Sequence, residues 1–479
     1  MGRLKDKIRN LLHKIGIDRA VSWGILAKLW SIVAGPVSLL FIASRFSSQL
    51  QGYYYTFYSI IAFQFLLELG LGNIIIQFAS HEWSKLSLDN SGRIVGEQAA
   101  LSRLQSLMRL FFRWFCITSA ILTLALGVAG LFFFSKNRSE NIIWVWPWLT
   151  LCILNGVIFF LIPAWSILEG CNQVLRLYSY RFVQGVFSSL ALWVAILFGA
   201  KLWAAPISSA VILLCSAIFL KYKYGNFFKT LLVSKIEGPR IKWRREILPL
   251  QWRLTIEVLF GPFAYTMFVP VLFKYHGPVI AGQMGMTLSL TSILFSVASS
   301  WLNPKVPIFG MLIAEKKYKK LDALFWRTTK LVIAVAAAGA LIAFFMVYIL
   351  NLIKNPLAER FLPVLPNGLF LLTQVILIVS LPFSTYLRAH KKEPFLFVGV
   401  GGGVSIGLST LILGKYFSAM GMALGYLLIH MVLVPIVIII WYRCRKEWHK
   451  DEYSKDSLAG SCVTSGDDFI LSNADMPNV

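Results

Sequence analysis

Apolar runs of about 20 residues recur from residue 20 to residue 441, separated by short polar breaks. That is the length an α-helix needs to cross roughly 30 Å of hydrocarbon. A buried soluble core does not explain the pattern, because the runs continue along nearly the whole chain. Only 14% of the residues are charged, where a soluble chain carries about a quarter. Lipid offers no partner to an unpaired backbone group, and these runs are too long and too continuously apolar for barrel strands. The expected fold class is therefore an all-α polytopic membrane protein.

Twelve spans are expected, near 20–43, 53–79, 112–134, 144–168, 179–199, 202–220, 249–273, 284–303, 327–350, 367–387, 395–413 and 417–441. Charge supports the count. Of the 46 Lys and Arg, 35 fall on the side of the N-terminus and 8 on the opposite side, while Lys28, Arg113 and Arg253 lie inside spans. Positive residues mark cytoplasmic segments, so both termini are expected in the cytoplasm. The net charge of +24 is then topogenic, facing anionic lipid, and asks for no nucleic acid.

The breaks divide the chain into a basic amphipathic segment (1–19), a first six-helix bundle (20–220), a basic linker (221–248), a second six-helix bundle (249–441) and a polar, disordered tail (442–479). In the first segment Leu4, Ile8, Leu11, Leu12 and Ile15 share one helical face, which suits a helix lying on the membrane. The halves echo each other. Each first span carries a Gly-Pro pair, Gly35-Pro36 and Gly261-Pro262, with Lys28 or Arg253 upstream. Six spans per half give two bundles of the same orientation, related by an axis along the membrane normal. Pro36 and Pro262 are expected to kink or loosen their helices.

Three stretches carry a family likeness: QGYYYTFYSIIAFQFLLELGLGNIIIQFASHEW (51–83), LEGCNQVLRLYSYR (168–181) and STYLRAHKKEPFLF (384–397). They resemble the second-helix region, and the turns after the fourth and tenth helices, of bacterial oligosaccharide flippases. These form the polysaccharide-transporter branch of the multidrug/oligosaccharidyl-lipid/polysaccharide exporter superfamily. The resemblance implies two bundles arranged in a V, alternating access, and polyprenyl-pyrophosphate-linked glycans as substrate. It also implies membrane lipid, a polysaccharide polymerase and other assembly proteins as partners.

Charges within spans are costly, at about 2.5–3.5 kcal/mol each, and so become candidate substrate-binding groups. Lys28 lies about 12 Å into the first span at 1.5 Å per residue. Either it faces a wet gap between the bundles or it snorkels. Arg253 and Glu257 share a face of the seventh span; they form a self-neutralising pair, or Arg253 meets an anionic substrate that its planar fork suits. Glu68, on one face with Gln64, is open to pairing with Lys28, to ion coupling or to structural hydrogen bonding. Arg113 opens the third span and reads as an interfacial or binding residue. Arg176, Arg181, Arg388, Lys391 and Lys392 occupy the two matching turns and are placed to meet a pyrophosphate at cytoplasmic entry. The aromatics Tyr53, Tyr54, Tyr55, Trp144, Trp146, Trp148 and Trp165 belong either to interface belts or to sugar-stacking walls.

An enzyme needs a polar pocket with placed acids, bases or metal ligands, and the short outer loops offer no room for one. Six scattered histidines, unpaired cysteine spacing and the lack of a Walker loop give no catalytic, metal or cofactor site. His430, alone in the last span, is either a packed side chain or a proton relay. Two rival functions stay open. One is a cation-coupled multidrug exporter of the same fold, against which the lack of Asp in any span argues. The other is a glycan polymerase or glycosyltransferase. A peptidoglycan-precursor flippase is a near neighbour of the favoured reading.

Overall fold

The computed structural model describes residues 19–136, 142–248, 251, 255, 265–390 and 394–448. The interfacial segment and most of the tail therefore lie outside the described residues, as do Arg253, Glu257, Gly261, Pro262, Lys391 and Lys392. Among the described residues nine helices are long and apolar enough to cross a bilayer, and a bent pair adds a tenth span. The all-α polytopic membrane fold is as expected.

In the first half, α1 (Arg19–Arg45) is followed by a second span in three pieces: α2 (Ser48–Ala62), α3 (Phe65–Glu68) and α4 (Leu71–Trp83). A small antiparallel hairpin, β1 (Leu86–Leu88) and β2 (Ile94–Gly96), leads to α5 (Gln98–Lys136). The fourth span is α6 (Val145–Phe160) with α7 (Ile162–Gly170), and α8 (Val174–Leu197) and α9 (Ala204–Leu232) complete the half. Helix α1 runs unbroken through Pro36. The sharp bend is in the second span instead, where the two parts meet at 47°. Leu69 and Gly70 are both left-handed there, with φ of 52° and 71°.

The second half begins in the described residues with α10 (Phe268–His276), the end of the seventh span. It continues with α11 (Pro278–Leu302), the short α12 (Val306–Ala314), α13 (Tyr318–Leu352), α14 (Val364–Ala389) and α15 (Leu396–Trp448). Straight, α15 would reach about 80 Å, far more than a bilayer. It folds back at Ser418, whose φ of 55° is non-helical. A Cβ on Gly402 would meet Leu433, and one on Gly425 would meet Ser409. Its two limbs are thus antiparallel neighbours, the expected eleventh and twelfth spans.

The segment expected as a linker is helical to Leu232, as the end of α9. The rest is fastened to the first half. Arg109 Nε donates to the Leu231 carbonyl (3.2 Å), the Ile241 amide donates to Ser106 Oγ (3.0 Å), and Trp243 stacks on Trp114. Arg103 joins three elements, binding Glu82 at the end of α4 and Glu246 in the turn before the seventh span, each at 2.7 Å. The Lys242 amide and then Arg103 hold the Glu246 carboxyl below its ordinary range. The Glu82 side chain is only 7% exposed. Arg103→Ala therefore leaves a buried carboxylate uncompensated and is expected to cost about 3 kcal/mol, read as a lower Tm in detergent. Adding Glu82→Gln should recover most of that loss.

Packing within the halves is aromatic. Trp193 of α8 lies against Trp30 and Phe41 of α1 and donates to Ser38 Oγ at 2.9 Å. In the second half a separate core gathers Phe325, Phe383, Tyr386 and Trp441. Beside it, Arg445 and the Tyr386 hydroxyl both bind Asp322. By contrast, the core of the first half runs without interruption into Phe268, Phe273, Ala281 and Met284 of the second. The halves are therefore fused at the ends of α2, α10 and α11, on the side of the short loops.

Candidate functional site

That fusion is a seam of backbone on backbone. Gly52 of α2 faces the Pro278 carbonyl so closely that a Cβ would sit 1.9 Å from the oxygen. Gln51 Nε2 donates to the carbonyls of Gly282 (2.8 Å) and Arg360 (2.9 Å), and the Tyr53 ring meets Phe273 edge-on. Small residues permit this approach, as they do wherever membrane helices touch closely.

Below the seam the halves diverge around a cavity of about 480 Å³. One wall is Gly35, Ser38, Leu39 and Ile42 of α1 with Tyr54, Tyr55, Tyr58 and Ser59 of α2. The other is Tyr265, Thr266 and Val269 with Gly285, Leu288, Ser289, Ser292 and Ile293. Among the described residues the lining is apolar with an array of hydroxyls and carries no charge. Tyr54 packs edge-on against Tyr55 and Tyr58, and the Tyr265 hydroxyl pairs with Thr291. The α11 wall follows i, i+3, i+4, i+7, i+8 spacing, which is one helical face. A search of the sequence for costly charges passes over this hydroxyl set. The spacing of Gly285, Leu288, Ser289, Ser292 and Ile293 is the signal that could have found it.

Lys28 stands seven residues before Gly35 on α1. Seven residues turn a helix to within about 20° of its starting direction and lift it about 10 Å. Lys28 therefore shares the face that Gly35, Leu39 and Ile42 present to the cavity, one step toward the basic side. The opposite face, with Trp23, Trp30 and Phe41, is taken by α8. Lys28 is half-buried, and no ion pair joins it to Glu68 among the described residues.

Glu68 has a different place. Its Oε1 accepts from the Gly72 amide (3.0 Å) and its Oε2 from the Gly70 amide (3.3 Å). The carboxylate thus caps the start of α4, where free amides and the helix dipole favour a negative charge. Around it, Ser166, Glu169 and Arg181 line a cavity of about 260 Å³, with Arg181 bound to Glu169 at 3.1 Å. Glu68→Ala is expected to lower stability by about 1 kcal/mol, and Glu68→Gln by less, since its amide oxygen still accepts. Thermal melting in detergent reads both.

The remaining candidates are dispersed. Gln64 is half-buried at the start of α3, and Arg113 is exposed on α5. Arg176 is exposed beside Tyr224, and Arg388 lines a separate cavity in the second half. Thr255, between Arg253 and Glu257 in sequence, donates to the Leu69 carbonyl at 3.4 Å, so the seventh span touches the break in the second. The aromatics divide as well. Tyr53, Trp144 and Trp148 are buried in the core, Trp146 is exposed, Trp165 stacks on Tyr180, and Tyr54 and Tyr55 reach the cavity. Among the described residues no group of His, Cys, Asp and Glu converges as metal ligands.

No family model matches the sequence, and no curated protein does. Solved structures do. The chain is similar to the lipid II flippase MurJ in its inward closed conformation, with a TM-score of 0.61 over 87% of this chain and 86% of that one, at 12% identity. It is also similar to the MATE multidrug transporter DinF-BH, solved as a complex, with a TM-score of 0.57 over 89% and 95% of the two chains, at 14% identity. The fold is thus similar to that of a flippase and of a drug transporter. An inward-facing MATE family transporter of the MOP superfamily matches too, with a TM-score of 0.53, 14% identity, and 90% and 98% covered. The shared fold is an all-α polytopic membrane fold. It does not separate the branches, because flippase and drug transporter share it.

Proposed function

We propose that this protein is an alternating-access transporter, not an enzyme, that moves a polyprenyl-pyrophosphate-linked oligosaccharide from the cytoplasmic to the outer leaflet of a bacterial inner membrane. The observation that carries this reading is the cavity between the halves. It is sealed on the short-loop side by the Gly52–Pro278 seam and lined with hydroxyls, and Lys28 stands two helical turns before Gly35 of its wall, toward the basic side. With the basic side cytoplasmic, as the charge bias supports, the shape is that of a gap closed to the outside. Hydroxyls and tyrosine rings suit sugars, which offer hydroxyl partners and apolar ring faces. A lysine, with Arg253 as its counterpart, lowers the cost of drawing a pyrophosphate into the gap. Arg176, Arg181, Arg388, Lys391 and Lys392 would meet the head group first, and membrane lipid and glycan-assembly proteins would be its neighbours.

The uncharged tyrosine wall also favours a second reading, export of planar drugs. One assay separates them. Purified protein in proteoliposomes is given a polyprenyl-pyrophosphate oligosaccharide on one leaflet, and arrival on the other is followed with an impermeant sugar reagent. Protein-dependent arrival is expected, with no ethidium efflux. Ethidium efflux without sugar arrival would replace the flippase by a drug exporter.

A further inference from the structure

The outer surface where residues 233–248 meet α5 plays no part in the transport reading. Along α5, Ile117, Ile121, Leu124 and Val128 are each more than half exposed. They recur at i, i+4, i+7 and i+11, which is one helical face. An apolar face this open within a span is covered by lipid. From Ile117 to Val128 the stripe runs about 16 Å at 1.5 Å per residue, close to one leaflet of a core roughly 30 Å thick.

At its basic end the stripe meets a pair of indoles and a set of arginines. Arg113 stands four residues before Ile117 and Trp114 seven before Ile121, so both border the stripe. Trp243 stacks on Trp114 with ring centres 5.7 Å apart, and it also packs against Phe111. Arg113 and Arg244 are the chain neighbours of the two stacked rings, and both are exposed, as are Arg240 and Arg245. Ile241 and Ile247 are buried beneath the same turn, so the segment lies on α5 with its apolar side down and its arginines outward. Tryptophan collects where hydrocarbon gives way to headgroups, and the indole pair marks that depth.

The arginines here divide into two sets. Arg103 is committed to Glu82 and Glu246, and Arg109 to the carbonyls of Leu231 and Ser234. Glu246 is thereby neutralised, which leaves Glu237 as the other carboxylate of residues 233–248. Arg113, Arg240, Arg244 and Arg245 make no hydrogen bond or ion pair among the described residues. A guanidinium offers a phosphate two parallel N–H donors. Apolar stripe, indole pair and arginines thus follow one another in the order of acyl chain, glycerol region and phosphate.

We propose that this surface is a binding site for one anionic phospholipid of the leaflet on the basic side. Its chains lie along Ile117 to Val128, and its phosphate meets Arg113 and Arg244. Arg240 and Arg245 add an attraction that a zwitterionic headgroup, carrying its own cation, does not return. The occupant is a bilayer lipid and not the lipid-linked sugar, because α5 contributes no residue to the cavity between the halves. Residues 233–248 lead directly into the seventh span, so a lipid bridging them to α5 fastens the two as Arg103 does. The inference does not rest on the transport reading.

The test is native mass spectrometry of the full-length protein in neutral detergent, titrated with phosphatidylglycerol or phosphatidylcholine of the same chains. One phosphatidylglycerol should bind at least about tenfold more tightly than phosphatidylcholine, and only the first lipid should raise Tm. A basic residue beside an anionic lipid surface is worth about fivefold. Arg244→Gln with Arg245→Gln should therefore weaken phosphatidylglycerol about ten- to thirtyfold, and Arg113→Gln, on the other element, about fivefold. Lys221→Gln with Lys223→Gln removes the same charge from exposed positions on α9 and should leave the tight lipid in place. Equal loss in the two double variants overturns the site and leaves only a general attraction of basic protein for anionic lipid. Equal affinity of the wild type for the two lipids overturns it as well. Displacement of phosphatidylglycerol by a tenfold lower concentration of a polyprenyl pyrophosphate overturns the choice of occupant. If the Arg244 and Arg245 variant melts lower without lipid, Arg113→Gln decides, and unchanged phosphatidylglycerol affinity in it overturns the proposal.

Discussion

Lys28→Ala is expected to cut transport of the lipid-linked sugar by roughly thirtyfold or more, with the protein still inserted and monodisperse. Truncating one side of a desolvated charge contact costs about 2–5 kcal/mol, and each 1.4 kcal/mol is about tenfold. Lys28→Met, which keeps most of the apolar stem, should lose nearly as much, because the loss lies in the charge. Lys28→Arg should keep a substantial part. Arg253→Ala is expected to behave like Lys28→Ala, as its counterpart in the second half. The measurement is initial sugar arrival in proteoliposomes, normalised to reconstituted protein. Normal rates in both alanine variants would defeat the basic-gap mechanism, whatever the fold. Loss in Lys28→Ala with normal drug exclusion would strengthen the flippase reading over the exporter.

The spans were legible because hydrocarbon imposes a length and a polarity on any helix that crosses it. The alternation of Lys and Arg then fixed their number. Three features were not legible, each for a physical reason. The break at Leu69 hides in LLELGLG, which reads as apolar helix, because a left-handed leucine is set by tertiary packing rather than by local preference. Glu68 just before Gly70 and Gly72 was the trace of it, but a carboxylate in a span draws attention as a charge and not as a cap. The attachment of residues 233–247 to α5 depends on Arg103 meeting partners from distant elements, which no local pattern encodes. The hydroxyl wall of the cavity belongs to residues too ordinary to stand out singly, and it gains meaning only when α2 and α11 face each other. What the sequence marked well was cost. Glu68 is expensive in lipid, and its structural context offsets the expense, because the carboxylate caps the start of α4.

The second large effect is expected at the seam. Gly52→Ala should open the short-loop side, because its Cβ would lie 1.9 Å from the Pro278 carbonyl oxygen. Neither partner is the end of a flexible side chain, so the collision is relieved only by moving α2 away from α11. Overpacking of this kind costs about 1–3 kcal/mol, borne by the sealed conformation alone. A conformer with the halves parted there does not feel it. The equilibrium should therefore move toward that conformer by about five- to a hundredfold. A Ser289→Cys reporter in the cavity wall should then react several times faster with an impermeant thiol reagent applied from the short-loop side. Gly407→Ala, whose Cβ would meet open space, is the control and should leave labelling unchanged. General unfolding is distinguished by Cys152 and Cys171, which are buried within the first half and would then react as well. Unchanged Ser289→Cys reactivity in Gly52→Ala would mean that the contact between α2 and α11 is permanent. The gap could then open to one side only, and the transport cycle would need a different gate.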